Sequence, residues 1–172
     1  MIMFLCSSRY QTITQRKYVV KLFKYTSVAV FLSVITGCAS VNMTPMEDST
    51  EAKKFEMPSE GMAGIYIYRR DSMYGAAIKK DIWINGDCIG ETAPGIFFYE
   101  QVKGGEDYEI STESEFSPNA LNLAVQSGAN YYIEQYMKIG MFVGGANLRV
   151  VDADEGMTEV SNLDMAAKGN CS

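Results

Sequence analysis

Between Gly64 and Asp152, eight short segments rich in Ile, Val, Tyr and Phe recur, each closed off by Gly, Asn, Asp, Ser or Pro. This spacing restricts the fold more than any other feature, because short apolar runs between turn residues suit strands and are too brief for packed helices. The segments are GIYIYRR (64–70), KDIWIN (80–85), CIGE (88–91), GIFFYEQV (95–102), DYEISTES (107–114), LNLAVQ (121–126), NYYIEQYMKI (130–139) and NLRVVD (147–152). They predict a mainly β domain, an antiparallel β-sandwich. Asn85-Gly86 is the strongest local signal, since both residues accept the positive φ of a type I′ hairpin turn. After the last segment, Asp154 can cap a short C-terminal helix with Met157, Val160, Leu163 and Ala167 on one side.

The chain ahead of this region is of another kind. It carries Arg9, Arg16, Lys17, Lys21 and Lys24 with no acidic residue, then an apolar run from Val28 to Ile35 broken only by Ser33. A positive region followed by a short apolar one is the layout of a secretory signal, and the run is too short to span a membrane. The residues that follow, Ile35-Thr36-Gly37-Cys38, resemble the lipobox of bacterial lipoprotein signal peptides. That resemblance implies cleavage before Cys38, a diacylglycerol on its thiol and an acyl chain such as palmitate on its new amino group. The alternative is that Cys38 is an ordinary buried thiol at the end of a helix. Residues 1–37 are thus expected to be a signal peptide, 38–60 the lipidated cysteine and a flexible tether reaching on the order of 25 Å, and 61–172 the folded domain. Ala39 and Ser40 follow the cysteine, where lipoproteins kept in the inner membrane often carry Asp, so the expected location is the periplasmic side of the outer membrane.

With the leader gone, ten Lys and Arg face 21 Asp and Glu, a formal charge of −11. Such a surface argues against nucleic acid and against docking through charge on anionic lipid. No histidine occurs anywhere. Histidine general bases, histidine-containing triads and zinc sites built on His pairs are therefore excluded. Glu113 and Glu115, with Asp152, Asp154 and Glu155, are the densest carboxylates, but the regular spacing of a calcium loop is absent. Neither a metal nor a cofactor is expected.

GMAGIYIYRR, DIWINGDCIGETAPGIFFYEQVKGGEDYEI, NYYIEQYMKI and VVDADEGMTEV together resemble DUF2846, a family of short bacterial lipoproteins of unknown function. The shared pattern is a Y-x-Y-R strand (Tyr66, Tyr68, Arg69), a hairpin with Ile82, Ile84, Asn85, Gly86 and Gly90, a G-x-F-F step (Gly95, Phe97, Phe98) and a Tyr-rich later strand. Where the pattern usually has a Pro-Gly turn, this chain has Lys103-Gly104-Gly105-Glu106. The hairpin section also resembles PEGA-type repeats, small β-sandwiches of cell surfaces. Neither resemblance brings a catalytic residue.

Strand alternation places Trp83 opposite Ile82 and Ile84, and Tyr132, Glu134 and Tyr136 opposite Tyr131, Ile133 and Met137. Trp83, Tyr132 and Tyr136, with Tyr66 and Tyr68, are candidates for an exposed platform that grips a partner protein or stacks on sugars. The competing reading puts these rings beneath the C-terminal helix or inside a sandwich buried on both sides. Met141, Phe142 and Val143, set between glycines, suit either an apolar contact loop or an inward-folded bulge. Cys88 and Cys171 are the thiols left once Cys6 leaves with the leader and Cys38 is acylated. In an oxidising compartment they are expected to pair, the alternative being a buried Cys88 and a frayed tail. The expected function is a non-enzymatic binding or structural module on the cell envelope, with an unidentified protein or glycan as partner and no nucleic acid. The competing class is an envelope enzyme that acts on glycan through Asp and Glu.

Overall fold

The computed structural model describes residues 39–114, 119–138 and 144–171. Among the described residues, nine strands form two sheets. They are β1 (Met62–Arg69), β2 (Lys80–Ile84), β3 (Asp87–Thr92), β4 (Ile96–Lys103), β5 (Asp107–Thr112), β6 (Asn119–Ala124), β7 (Asn130–Lys138), β8 (Gly145–Val151) and β9 (Asp164–Met165). One sheet runs β8-β7-β1-β4-β9 and the other β3-β2-β5-β6. Helix α1 (Met46–Ala52) precedes the strands, and α2 (Ala153–Ser161) lies between β8 and β9. The four-stranded sheet is antiparallel throughout. In the five-stranded sheet, β1 pairs with β7 and β4 with β9 in parallel, which the alternation of apolar residues could not reveal.

The sheets pack face to face over Ala63, Ile65 and Ile67 of β1, Ile82 and Ile84 of β2, Phe98 of β4, Ile110 of β5 and Ile133 of β7. One polar crosslink interrupts this layer. Gln135 of β7 is 1% exposed, and its Nε2 donates to Thr112 Oγ1 at 2.7 Å while its Oε1 lies against the Thr92 hydroxyl. Because its partners are fixed on β5 and β3, the amide ties the sheets together at little desolvation cost.

The hairpin between β2 and β3 turns at Asn85 (φ 51°) and Gly86 (φ 82°), as expected for a type I′ turn. Beyond it the register slips. Ile82 faces Gly90 and Trp83 faces Cys88, so Ile89 is an extra residue bulged toward the core. The C-terminal tail lies along this bulge, with Gly169 N donating to Ile89 O at 3.0 Å. It carries Cys171 to Cys88, and the two form a disulfide with their Cα atoms 5.9 Å apart.

A second apolar layer covers the outer face of the five-stranded sheet. Tyr66, Tyr68, Phe97 and Tyr132 pack there against Ala52 of α1 and against Val160 and Leu163 in and after α2. The central strand β1 is therefore buried on both sides, and Tyr66 and Tyr68 are core residues. Three expectations are corrected by this layer. Residues 39–60 are not a free tether: Met43 bridges to Ala166, Thr44 N donates to Met165 O at 3.0 Å, and α1 buries Ser49 and Ala52. The cap of α2 is Asp152, whose carboxylate accepts from Glu155 N at 2.8 Å, while Asp154 sits in the first turn. The helix stops at Ser161, because the next residues turn into β9 beside β4, and Leu163 and Ala167 lie beyond it.

Candidate functional site

The registers of three strands set up a row of rings in the buried outer layer, beside the chief groove. Tyr66 of β1 stands opposite Tyr99 of β4 and Tyr132 of β7, so three phenol rings line up across the sheet. Tyr66 stacks on Tyr99 with ring centres 4.5 Å apart, and on Tyr132 at 5.0 Å. Phe55, just after α1, closes on Tyr66 at 5.5 Å. The Tyr66 hydroxyl donates to Ala52 O at 2.8 Å and so pins the end of α1 to the row. Burial, followed by the neighbouring Tyr99, pushes the Tyr132 phenol up to about 12, and the same causes raise Tyr66. All three rings are neutral at ordinary pH.

Beside the row, between α1 and β4, lies a groove of about 410 Å³. Tyr66, Tyr99 and Gln101 line its sheet side, and Asp48, Glu51 and Glu56 its helix side. Glu51 pairs with Lys54 at 2.5 Å, an exposed contact that water screens. The remaining carboxylates share the groove with Tyr99, whose ring face carries negative charge density, whereas Tyr66 is stacked between Tyr99 and Tyr132. Chemically, such a groove suits a cation carried on an apolar stem, a protonated amine above all. The groove was missed in the sequence because its acidic residues sit in the stretch read as a tether. A signal was present: Pro45, then Glu47 and Asp48 in a first turn, is a favourable helix start.

A second charged cluster closes the sheet at the far end of β1. Arg70 reaches Glu134 at 2.8 Å, Glu155 at 2.7 Å and Glu159 at 2.6 Å, while Arg149 reaches Glu134 at 2.7 Å and Glu155 at 2.6 Å. Glu134 is only 6% exposed, and two guanidinium groups compensate its burial. The cluster bolts β1, β7 and β8 to α2. Its carboxylates are engaged in these pairs, so it reads as a fastener. The Tyr68 hydroxyl lies beside it, buried and without a hydrogen-bond partner among the described residues, and burial followed by Glu134 pushes its phenol up to about 12.

The expected aromatic platform does not form as one surface. Tyr132 is buried under α2, and Tyr66 and Tyr68 lie in the same layer, because helices cover the face that alternation marked as outward. Trp83 is half-buried on the four-stranded sheet, whereas Tyr136 is half-buried on the other, where its hydroxyl accepts from Asn147 Nδ2 at 2.9 Å. Glu113 is held by Lys80 at 3.7 Å and by Asp81 N at 3.1 Å. Cys38, Glu115 and the Met141-Phe142-Val143 tip lie outside the described residues. Among the described residues no group of His, Cys, Asp and Glu is arranged to hold a metal, and no helix is long and apolar enough to cross a membrane.

Comparison with known proteins gives two matches. Residues 59–146, from just before β1 into β8, match the family described as "Protein of unknown function (DUF2846)". An uncharacterized protein of Haemophilus influenzae is 46% identical over 157 residues, covering 91% of this chain and 92% of its own length. No solved structure matches.

Proposed function

This chain belongs to the DUF2846 family, and from that premise we propose that it is a lipid-anchored envelope lipoprotein, facing the periplasm from the outer membrane, that works by binding. Cysteine arithmetic carries the reading. Of the four cysteines, Cys88 and Cys171 are bonded to each other and Cys6 belongs to the leader, so the one left over is Cys38 of the lipobox. A disulfide suits an oxidising compartment, and a signal with a lipobox is a route into one. Binding is supported by the groove between α1 and β4, and the ligand class that fits its carboxylates and tyrosines is a protonated amine, such as a lysine side chain of an envelope peptide. The glycan alternative draws on the same groove, where carboxylates and aromatic rings meet. The anchor is tested by growing cells with a clickable fatty acid. Wild type takes the label and Cys38→Ser does not, and the variant leaves the membrane fraction, because stable attachment needs two or more chains. A serine variant that stays in washed membranes refutes the anchor.

A further inference from the structure

The tail of the Y-x-Y-R strand leads to a second surface. Arg69 is 3% exposed, and its guanidinium faces away from the tyrosine layer to clamp the loop that follows β1. Its Nη1 donates to Ile78 O and its Nη2 to Gly75 O, each at 2.7 Å. Burial lowers the guanidinium pKa, yet an arginine stays charged. Inside the loop, Ala76 N donates to Met73 O at 3.3 Å and Ile78 N to Gly75 O at 2.9 Å, so residues 73–78 form a tight double turn. The crest of that turn is apolar and in water: Met73 is 93% exposed and Tyr74 50%.

A lone exposed methionine needs no explanation. This one stands beside the start of the folded chain. Ala39 N donates to Ala76 O at 2.9 Å, and Ala39 is the residue next to Cys38. Consecutive Cα atoms lie about 3.8 Å apart, so the anchoring cysteine is attached within one residue of the loop. The following residues give no slack either, since Ala167 N donates to Asn42 O at 2.9 Å and Met43 bridges to Ala166.

We infer that the loop of residues 71–78 is a membrane-docking surface: the domain sits directly on the bilayer, with Met73 and Tyr74 against lipid and Arg69 holding the loop in place. The inference rests on the reading that Cys38 is lipidated. Charge is consistent with this face. Asp71 is the one charged residue in the segment DSMYGAAI, and the flanking Lys79 and Lys80 are neutralised by Glu91 at 2.9 Å and Glu113 at 3.7 Å. The rest of the acidic body is repelled by anionic headgroups, so this near-neutral apolar crest is the side that can approach. Tyrosine at the crest fits the interfacial zone, where an apolar ring and a polar tip are both accommodated.

The test uses the full lipidated chain in vesicles of phosphatidylethanolamine and phosphatidylglycerol containing spin-labelled lipid. An environment-sensitive fluorophore is placed on Ala77→Cys in the loop, or on Gln126→Cys as control. Strand β4 runs from Ile96, opposite Arg69, to Lys103, opposite Met62, which puts the turn at Gln126 at the other end of the sheet, roughly 20 Å away. Quenching is expected to be several-fold stronger at position 77 than at 126, to persist in high salt, and to be clearly reduced when Met73→Asp is combined with Tyr74→Ser. Equal quenching at both positions in acylated protein overturns the docking surface and leaves the anchor standing. Quenching at 77 that is unchanged by the double substitution overturns the role of these side chains. Absence of the acyl group overturns the anchor and the docking surface together.

Discussion

Tyr66 does the most at the scale of single residues. It stacks on two partners, caps the end of α1 through its hydroxyl and forms part of the groove wall. Alternation placed it correctly on the face opposite Ile65 and Ile67, but could not tell that this face is covered. The same limit applies to Tyr132. The groove's own residues carry a direct test of ligand class. Asp48→Asn combined with Glu56→Gln is expected to weaken binding of a lysine-containing peptide by roughly fivefold, the scale of two solvent-screened charge contacts. Calorimetric or NMR titration measures it. Equal binding of the same peptide with its lysine acetylated removes the amine from the ligand class, and preference for a sugar lacking any amine favours the glycan reading.

At the scale of elements, α2 shows how packing overrides propensity. Gly156 is a poor helix residue and weakens the case for a helix when read alone, yet it lies mid-helix and is buried. A Cβ built there would come 2.2 Å from Cγ and 2.3 Å from Cβ of Tyr132, atoms next to the backbone that cannot swing aside. The glycine lets the helix lie directly on the tyrosine. Gly156→Ala gains about 1 kcal/mol of helix propensity, but lifting the helix off the sheet costs roughly 3 kcal/mol, near the top of the range for overpacked sites. A net loss of roughly 2 kcal/mol in urea unfolding is expected. A more stable alanine variant contradicts the seating of α2 on Tyr132. Helix α1 makes the complementary point, since its seven residues hold too few turns to stand alone and depend on Ala52 and Ser49 being buried.

For the whole molecule, the closing step is the bond between Cys88 and Cys171. It joins the β2–β3 hairpin to the last residues of the chain across 83 positions. In the chain-entropy description a loop of this length contributes about 4.5 kcal/mol by restricting the unfolded state, an upper figure. Cys88→Ala with Cys171→Ala is therefore expected to lower stability by roughly 2 to 4 kcal/mol, read as a lower denaturant midpoint with little change in the far-ultraviolet spectrum. Because both sheets and both helices are held by their own apolar layers, the fold should survive the loss. A variant that fails to fold at all would show that the tail is part of the core.

Read alone, the sequence located eight of the nine strands described and the Asn85-Gly86 turn, indicated a C-terminal helix, and favoured the pairing of the last two cysteines over a free tail. These follow from local chemistry: alternation, positive φ at two adjacent residues, helix-capping residues, and the few thiols available. It also carried the family resemblance through Tyr66, Tyr68, Arg69 and the hairpin. Tertiary structure decided what alternation leaves open, namely which of two apolar faces meets water. Period-two patterning says that Tyr66 and Ile67 point to opposite sides, but a strand covered on both sides looks the same as an aromatic strand exposed on one. The parallel pairing of β1 with β7, the docking of residues 39–52 and the groove that results depend on contacts between residues far apart in the chain, such as Thr44 with Met165 and Tyr66 with Tyr132. No local pattern encodes such contacts, because their energy is realised only when the layers close.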